Sequence, residues 1–196
     1  MNFRYFLAPE HAMENLQDGV NHCSLCGLEK QCFLLNFSNA ERFIASDELN
    51  VDNLNLTKNS DPNLNRYGCY DCLRAGRFLF CHETDVGRVD GSGFMPYDGE
   101  RIQLIEGAAE ELLRTPPFYS WQDSGWMTHC NDFMAYLGEW GKDDFNTFAA
   151  DGDGQKVFER VELMEPNEEW NELRGDGFYV FKCLHCDQMR SFSDCD

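Results

Sequence analysis

The spacing of apolar residues changes several times along the chain. Cys32-Phe33-Leu34-Leu35-Asn36-Phe37 is a short, nearly unbroken apolar run and predicts a buried strand. From residue 38 to 66 the apolar positions are scattered among Asn, Asp and Ser, which predicts a loop-rich excursion with at most a short helix. Gly87, Gly91, Gly93, Pro96 and Gly99 mark residues 84–99 as a turn-rich connector. Between Glu100 and Arg114, Ile102, Ile105, Ala109, Leu112 and Leu113 recur near the helical period, and Pro116 and Pro117 stop the helix they predict. Trp126, Cys130, Phe133, Met134 and Leu137 form a second stripe, predicting a helix from about Trp121 to Leu137 that Gly138 ends. Val157, Val161 and Met164, with Phe158 and Leu163 nearby, predict a third helix before Pro166. The chain closes as strand, knuckle, strand, through Gly177-Phe178-Tyr179-Val180-Phe181-Lys182-Cys183 and Cys186 towards Asp194. The fold class expected from this pattern is α+β. It is a single domain over residues 1–196, with cysteine knuckles on short antiparallel strands and two or three packed helices.

The cysteines add chemistry to that outline. Cys23-x-x-Cys26, Cys69-x-x-Cys72 and Cys183-x-x-Cys186 repeat one spacing three times. Two intervening residues let both thiolates of a pair grip one ion from a tight turn, and zinc takes a second pair from elsewhere to complete a tetrahedron. Gly27 supplies the permissive backbone that such a turn needs after Cys26. The leading set is Cys23, Cys26, Cys69 and Cys72, with Cys183 and Cys186 as alternatives to either pair. A second metal site built from Cys183, Cys186 and His129 or Cys130 is a further candidate. On a helix, His129 and Cys130 would point about 100° apart and could not pair with each other, and Cys130 on the apolar stripe reads as a core residue. His185 reads as a turn residue, and Cys32, Cys81 and Cys195 as thiols without a partner at ligand spacing.

Charge narrows the partners. Sixteen Lys and Arg against thirty-five Asp and Glu give a net charge of −19, which argues against nucleic acid and anionic membranes and favours a basic partner. Residues 139–176 hold twelve acidic and four basic residues. Asp143, Asp144, Glu168 and Glu169 make this stretch a candidate docking face, with Trp140 and Trp170 as aromatic anchors. The opposing reading of such an acid run is a solvated surface.

No stretch reaches the roughly 18 apolar residues of a membrane helix. The opening Met1-Asn2-Phe3-Arg4-Tyr5-Phe6-Leu7 meets Pro9 and Glu10 too soon for a secretory signal, so a cytoplasmic location with reduced thiols is expected. Two tempting motifs fail. Asp151, Asp153, Gln155 and Glu162 match a calcium-loop count, but Lys156 stands where that loop needs Gly. Gly91 and Gly93 lack the third glycine and the strand–helix context of a dinucleotide site.

Several ordered blocks resemble the CbrC family, whose members are described as colicin-tolerance proteins. They are Phe3-Arg4-Tyr5 through Pro9, Cys23-Ser24-Leu25-Cys26-Gly27 and Cys69-Tyr70-Asp71-Cys72-Leu73-Arg74-Ala75-Gly76. Arg114-Thr115-Pro116, Trp121-Gln122, Trp126, His129-Cys130, Asp132 and Leu137-Gly138 follow in the same order. Tyr179-Val180-Phe181-Lys182-Cys183-Leu184-His185-Cys186 closes the match. Pro117 and Asp187 stand where the family has Gly. The resemblance implies a small zinc-stabilised bacterial protein connected to protection against a toxin, and supplies no catalytic mechanism.

The first functional expectation is therefore an acidic, zinc-scaffolded immunity or tolerance protein that binds a protein toxin, most plausibly a nuclease with a basic surface. A metal-dependent or thiol enzyme is the alternative. Its opening would be a mixed His129 and cysteine site, because four thiolates close a zinc ion's coordination sphere. A metal- or redox-responsive adaptor is the third reading.

Overall fold

A computed structural model describes residues 3–35, 67–97, 102–120, 125–164, 169–171, 173 and 177–193. The expected excursion at 38–66 lies outside these residues, as do Asn36, Phe37, Trp121, Glu168 and Cys195. In chain order, β1 (Asn21–His22) and β2 (Glu29–Lys30) form a hairpin, and β3 (Cys32–Leu34) pairs with β4 (Tyr67–Cys69), which runs directly into α1 (Tyr70–Arg74). β5 (His82–Thr84), β6 (Gly87–Asp90) and β7 (Gly93–Pro96) make an antiparallel meander, followed by α2 (Ala108–Leu113). β8 (Gly125–Trp126) joins the meander parallel to β5, and β9 (Thr128–His129) turns back into β10 (Asp132–Phe133). β11 (Ala135–Glu139), α3 (Lys142–Phe148), α4 (Gly154–Phe158), β12 (Val161–Leu163), β13 (Phe178–Lys182) and β14 (Met189–Ser193) complete the described elements. The architecture is α+β.

β13 organises the interior. It lies antiparallel between β11 and β14, and β12 adds to the far side of β14 in parallel. Successive side chains of a strand point to opposite faces. Tyr179 and Phe181 enter one core, while Phe178 and Val180 enter another, made with Trp140, Phe145, Val157 and Phe158 of the α3–α4 region. A strand covered on both faces is apolar throughout, which explains the unbroken Phe178–Phe181 run. Phe118 sits at the centre of the larger core. It stacks on Tyr136 at 4.3 Å between ring centroids and meets Trp126 and Phe181 edge-on at 5.4 and 5.5 Å.

Three expected elements are corrected. The helix expected from Trp121 to Leu137 does not form over its described residues, which from Gly125 are a run of strands. Cys130 and Asn131 have φ of 52° and 60°, a left-handed pair that an α-helix cannot hold and that a two-residue hairpin turn requires. Gly138 is no helix stop but a strand residue with φ 132° at an irregularity in the β11–β13 register. The helix expected from Glu100 contracts to Ala108–Leu113. Gly107 precedes it at φ 80°, and Ile105 instead donates its amide to the Asn131 carbonyl at 2.8 Å. The third helix ends at Phe158, and Val161–Leu163 pairs with β14 because ladder partners outweigh local helical spacing. The glycine-rich connector is the β5–β7 meander.

Among the described residues no helix is long and apolar enough to cross a membrane. Phe118→Ala empties the centre of the aromatic cluster and is expected to destabilise the fold by about 3–5 kcal/mol. Urea unfolding measures this; an unchanged midpoint would mean that the ring is not packed as described.

Candidate metal centres

The first candidate centre grows out of two backbone turns. The β1–β2 hairpin carries Cys23 and Cys26. Cys23 donates its amide to Leu28 O at 2.9 Å, and Gly27 donates to Cys23 O at 2.8 Å. Gly27 holds φ at 73°, which a side-chain-bearing residue rarely adopts. The knuckle is pinned to β4 by Ser24, whose amide reaches Tyr67 O at 2.7 Å and whose Oγ accepts from the Tyr67 amide at 3.1 Å. Cys69 ends β4 and Cys72 lies in the first turn of α1, so the second pair brackets a strand-to-helix junction.

Cys23, Cys26, Cys69 and Cys72 thus converge, with their sulfurs all within 4.8 Å of one another. The Cys23 and Cys72 sulfurs are 3.9 Å apart, and those of Cys26 and Cys69 are 3.8 Å apart. Cys23, Cys69 and Cys72 are buried and Cys26 is half-buried. Cys32 is buried beside them as the ladder partner of Cys69, but its Sγ turns to the Asn21 carbonyl at 3.6 Å. Burial acts to raise the Cys23 pKa. Amide donors from Cys69, Leu25 and Cys26, with the Cys26 thiol, outweigh burial and bring it down to about 7. Burial raises the Cys69 and Cys72 thiols and, with the neighbouring thiols, pushes Cys32 up to about 12. Clustered thiols resist ionising together, and a cation among them removes that resistance. Lys30, paired with Asp71, and Arg77, with Nη1 4.0 Å from Cys72 Sγ, place positive charge at the rim.

The second candidate centre joins two other turns. His129 and Cys130 stand at the tight β9–β10 turn, and Cys183 and Cys186 lie in the knuckle between β13 and β14. Cys183 donates its amide to Gln188 O at 2.9 Å, and Cys183 Sγ accepts from the His185 amide at 3.3 Å. His129 Nδ1 lies 3.2 Å from Cys130 Sγ and 3.4 Å from Cys186 Sγ, and the two sulfurs are 3.9 Å apart. All four donor atoms lie within 4.8 Å of one another. His129 and Cys130, which a helix would have separated, meet because a hairpin turn replaces the helix. Cys130 is exposed rather than a core residue. An open cleft of about 540 Å³ adjoins this centre, with His129, Cys186, Phe148 and Lys182 among its walls. Burial and the neighbouring thiols raise the Cys130 pKa to about 11, whereas the Gln188 amide lowers that of Cys186.

A group not singled out for its chemistry in the sequence braces this centre. Asp132 is fully buried. Its Oδ1 accepts from Tyr5 Oη at 2.6 Å and from the Phe133 amide at 2.9 Å. Its Oδ2 meets Arg4 Nη2 at 2.5 Å and His185 Nε2 at 2.7 Å. One carboxylate therefore ties the N-terminal segment, the β9–β10 hairpin and the last knuckle together. His185 is a bracing residue here and not a member of either donor set. The available signal was a lone acid between His129-Cys130 and an apolar run.

The acidic residues expected to face a partner have mixed positions. Asp143, Asp144 and Glu169 are exposed. Asp144 also accepts the Gly141 amide at 2.8 Å, closing the first turn of α3. Trp140 is buried on Phe145, so it cannot serve as an anchor. Trp170 is half-buried against Phe145 and Phe158, with Lys142 over its ring, and is occupied by its own fold.

The chain belongs to the uncharacterised protein family UPF0167, whose sequence profile matches residues 1–195. A UPF0167 protein of Pseudomonas aeruginosa is 30% identical over 148 residues, covering 61% of this chain and 81% of that protein. No solved structure matches the chain.

Cys72→Ser removes one donor from the buried set. It is expected to lose that centre's metal and to lower the melting temperature by on the order of 10 °C, because metal binding is coupled to folding. Cys32→Ser should leave metal content unchanged. Elemental analysis and thermal melts of both variants test the assignment; equal metal loss in the two would contradict it.

Proposed function

We propose that the protein is a zinc-scaffolded binding protein of the CbrC type that protects a bacterial cell from a protein toxin. The observation that carries the metal reading is the spacing of the donor atoms. Zinc bonded to thiolates at about 2.3 Å sets its sulfurs about 3.8 Å apart, and a thiolate sulfur and an imidazole nitrogen about 3.6 Å apart. The sulfur separations of 3.9 and 3.8 Å at the first centre and 3.9 Å at the second, with the somewhat shorter sulfur–nitrogen separations of 3.2 and 3.4 Å at the second, support two tetrahedral ions. Cys23, Cys26, Cys69 and Cys72 would hold one ion, and His129, Cys130, Cys183 and Cys186 the other. Four protein donors per ion leave no open position for a substrate, so the zinc acts as scaffold and the enzyme reading is the weaker one.

The binding reading is supported by charge. A net charge of −19 speeds encounter with a basic partner, and a nuclease must carry a basic surface to grip phosphate. The docking face is the exposed acid surface around Asp143, Asp144 and Glu169, without Trp140 as an anchor. Toxin protection enters through the resemblance to the CbrC family, and cytoplasmic action through the wealth of thiols that a reducing compartment would keep free.

The test is co-purification with the product of a neighbouring toxin gene, followed by a nuclease-inhibition assay. A stable complex whose association rate falls at least tenfold between low and physiological salt is expected. D143K/E169K should reduce that rate further without altering metal content. Absence of both binding and protection against every neighbouring toxin would overturn the reading.

A further inference from the structure

The two candidate centres differ in access. At the first, three of the four thiols are buried and the fourth is half-buried. At the second, Cys130 and Cys186 are both exposed, only Cys183 is buried, and Cys186 also lines the open cleft. The Cys130 and Cys186 sulfurs are 3.9 Å apart, and Cys130 sits in a two-residue surface turn that can yield by the two ångströms or so that a disulfide requires. The sequence places them 56 residues apart, so no local motif pairs them.

What would remain if this centre lost its ion is also visible. β13 and β14 stay paired over five registered positions from Phe178↔Ser193 to Lys182↔Met189. The hairpin and the knuckle remain joined through Asp132, which holds His185, Tyr5 and Arg4 independently of the thiols. At the first centre the sulfurs themselves form a small buried cluster, with Cys23, Cys32, Cys69 and Cys72 at its heart. Loss of that ion would leave a buried group of thiols between strands of two and three residues.

We propose that Cys186 and Cys130 are an oxidation site, and that hydrogen peroxide or a related two-electron oxidant converts the second centre to a disulfide and releases its zinc while the first centre stays loaded. This rests on the reading of both donor sets as zinc centres. The Cys186 thiolate attacks one peroxide oxygen and the O–O bond breaks, giving a sulfenic acid and hydroxide. The Cys130 thiolate then attacks the Cys186 sulfur, the S–S bond forms and a second hydroxide leaves. The two thiolates lose two electrons, and peroxide takes them up with two protons to give two waters. His129 and Cys183 are left as two donors, too few to hold the ion. The Cys130–Cys186 disulfide and the Asp132 contacts then keep the hairpin tip and the knuckle joined without the ion.

The experiment uses the full chain, loaded with zinc under anaerobic reducing conditions and then treated with a small excess of hydrogen peroxide. Released zinc is followed with a chromogenic chelator, the disulfide is mapped by tandem mass spectrometry, and the fold is followed by circular dichroism. One of the two zinc equivalents should leave about tenfold faster than the other, together with a Cys130–Cys186 disulfide and an unchanged spectrum. Reduction with added zinc should restore the starting state. In C130S the oxidised product should instead be a Cys186 sulfenic acid, trapped by a dione probe. Simultaneous loss of both ions, or a first disulfide among Cys23, Cys26, Cys69 and Cys72, would overturn the proposal. So would a first disulfide between Cys183 and Cys186. A starting protein that takes up only one zinc would instead overturn the underlying reading of the second centre.

Discussion

The donor sulfurs come from distant parts of the chain and meet closely enough to share one ion at each centre, and on the proposed reading that shared ion is the constraint the rest of the structure depends on. Cys26 and Cys69 are 43 residues apart, and Cys130 and Cys186 are 56 apart, yet the sulfurs of each pair lie less than 4 Å from one another. Closing such loops costs conformational entropy that grows only slowly with length, so a metal cross-link tolerates a long intervening segment. It also suits the strands it joins. β1, β2, β9 and β10 have two residues each, too few to hold together through ladder hydrogen bonds and side-chain burial alone.

The two centres divide the structural work differently. The first is embedded among Cys32, Leu25 and Tyr67 and substitutes for a hydrophobic core in the N-terminal region. The second lies at the surface, above a sheet that already has aromatic cores on both faces through the alternation of Phe178, Tyr179, Val180 and Phe181. Asp132 supplies what the short hairpin lacks. Arg4, Tyr5, His185 and the Phe133 amide give a buried carboxylate four donors and fix the hairpin to the knuckle.

The cysteine chemistry was more legible in the sequence than the elements that carry it. Cys-x-x-Cys is a local geometric device, so its spacing survives whatever the flanking chain does. The grouping of Cys23 and Cys26 with Cys69 and Cys72, and of His129 and Cys130 with Cys183 and Cys186, matches the expected candidate sets as geometry. The strands at 125–139 were hidden because Trp126, Cys130, Phe133, Met134 and Leu137 satisfy a helical period by coincidence. The contrary signal was the polar quartet His129-Cys130-Asn131-Asp132, where a turn with positive φ forms without glycine. Trp140 looked like a surface anchor because its neighbours are charged. It is buried because α3 folds Phe145 back onto it, a tertiary contact that composition cannot reveal.

Cadmium-113 nuclear magnetic resonance of the fully substituted protein tests the central claim most directly, because the shift of each ion reports the number of sulfurs around it. Two resonances of equal intensity are predicted, one in the range of four thiolates and one in the range of three thiolates with one imidazole, the latter coupled to His129 and to no other histidine. A single resonance, or any ion held mainly by oxygen, would contradict the account.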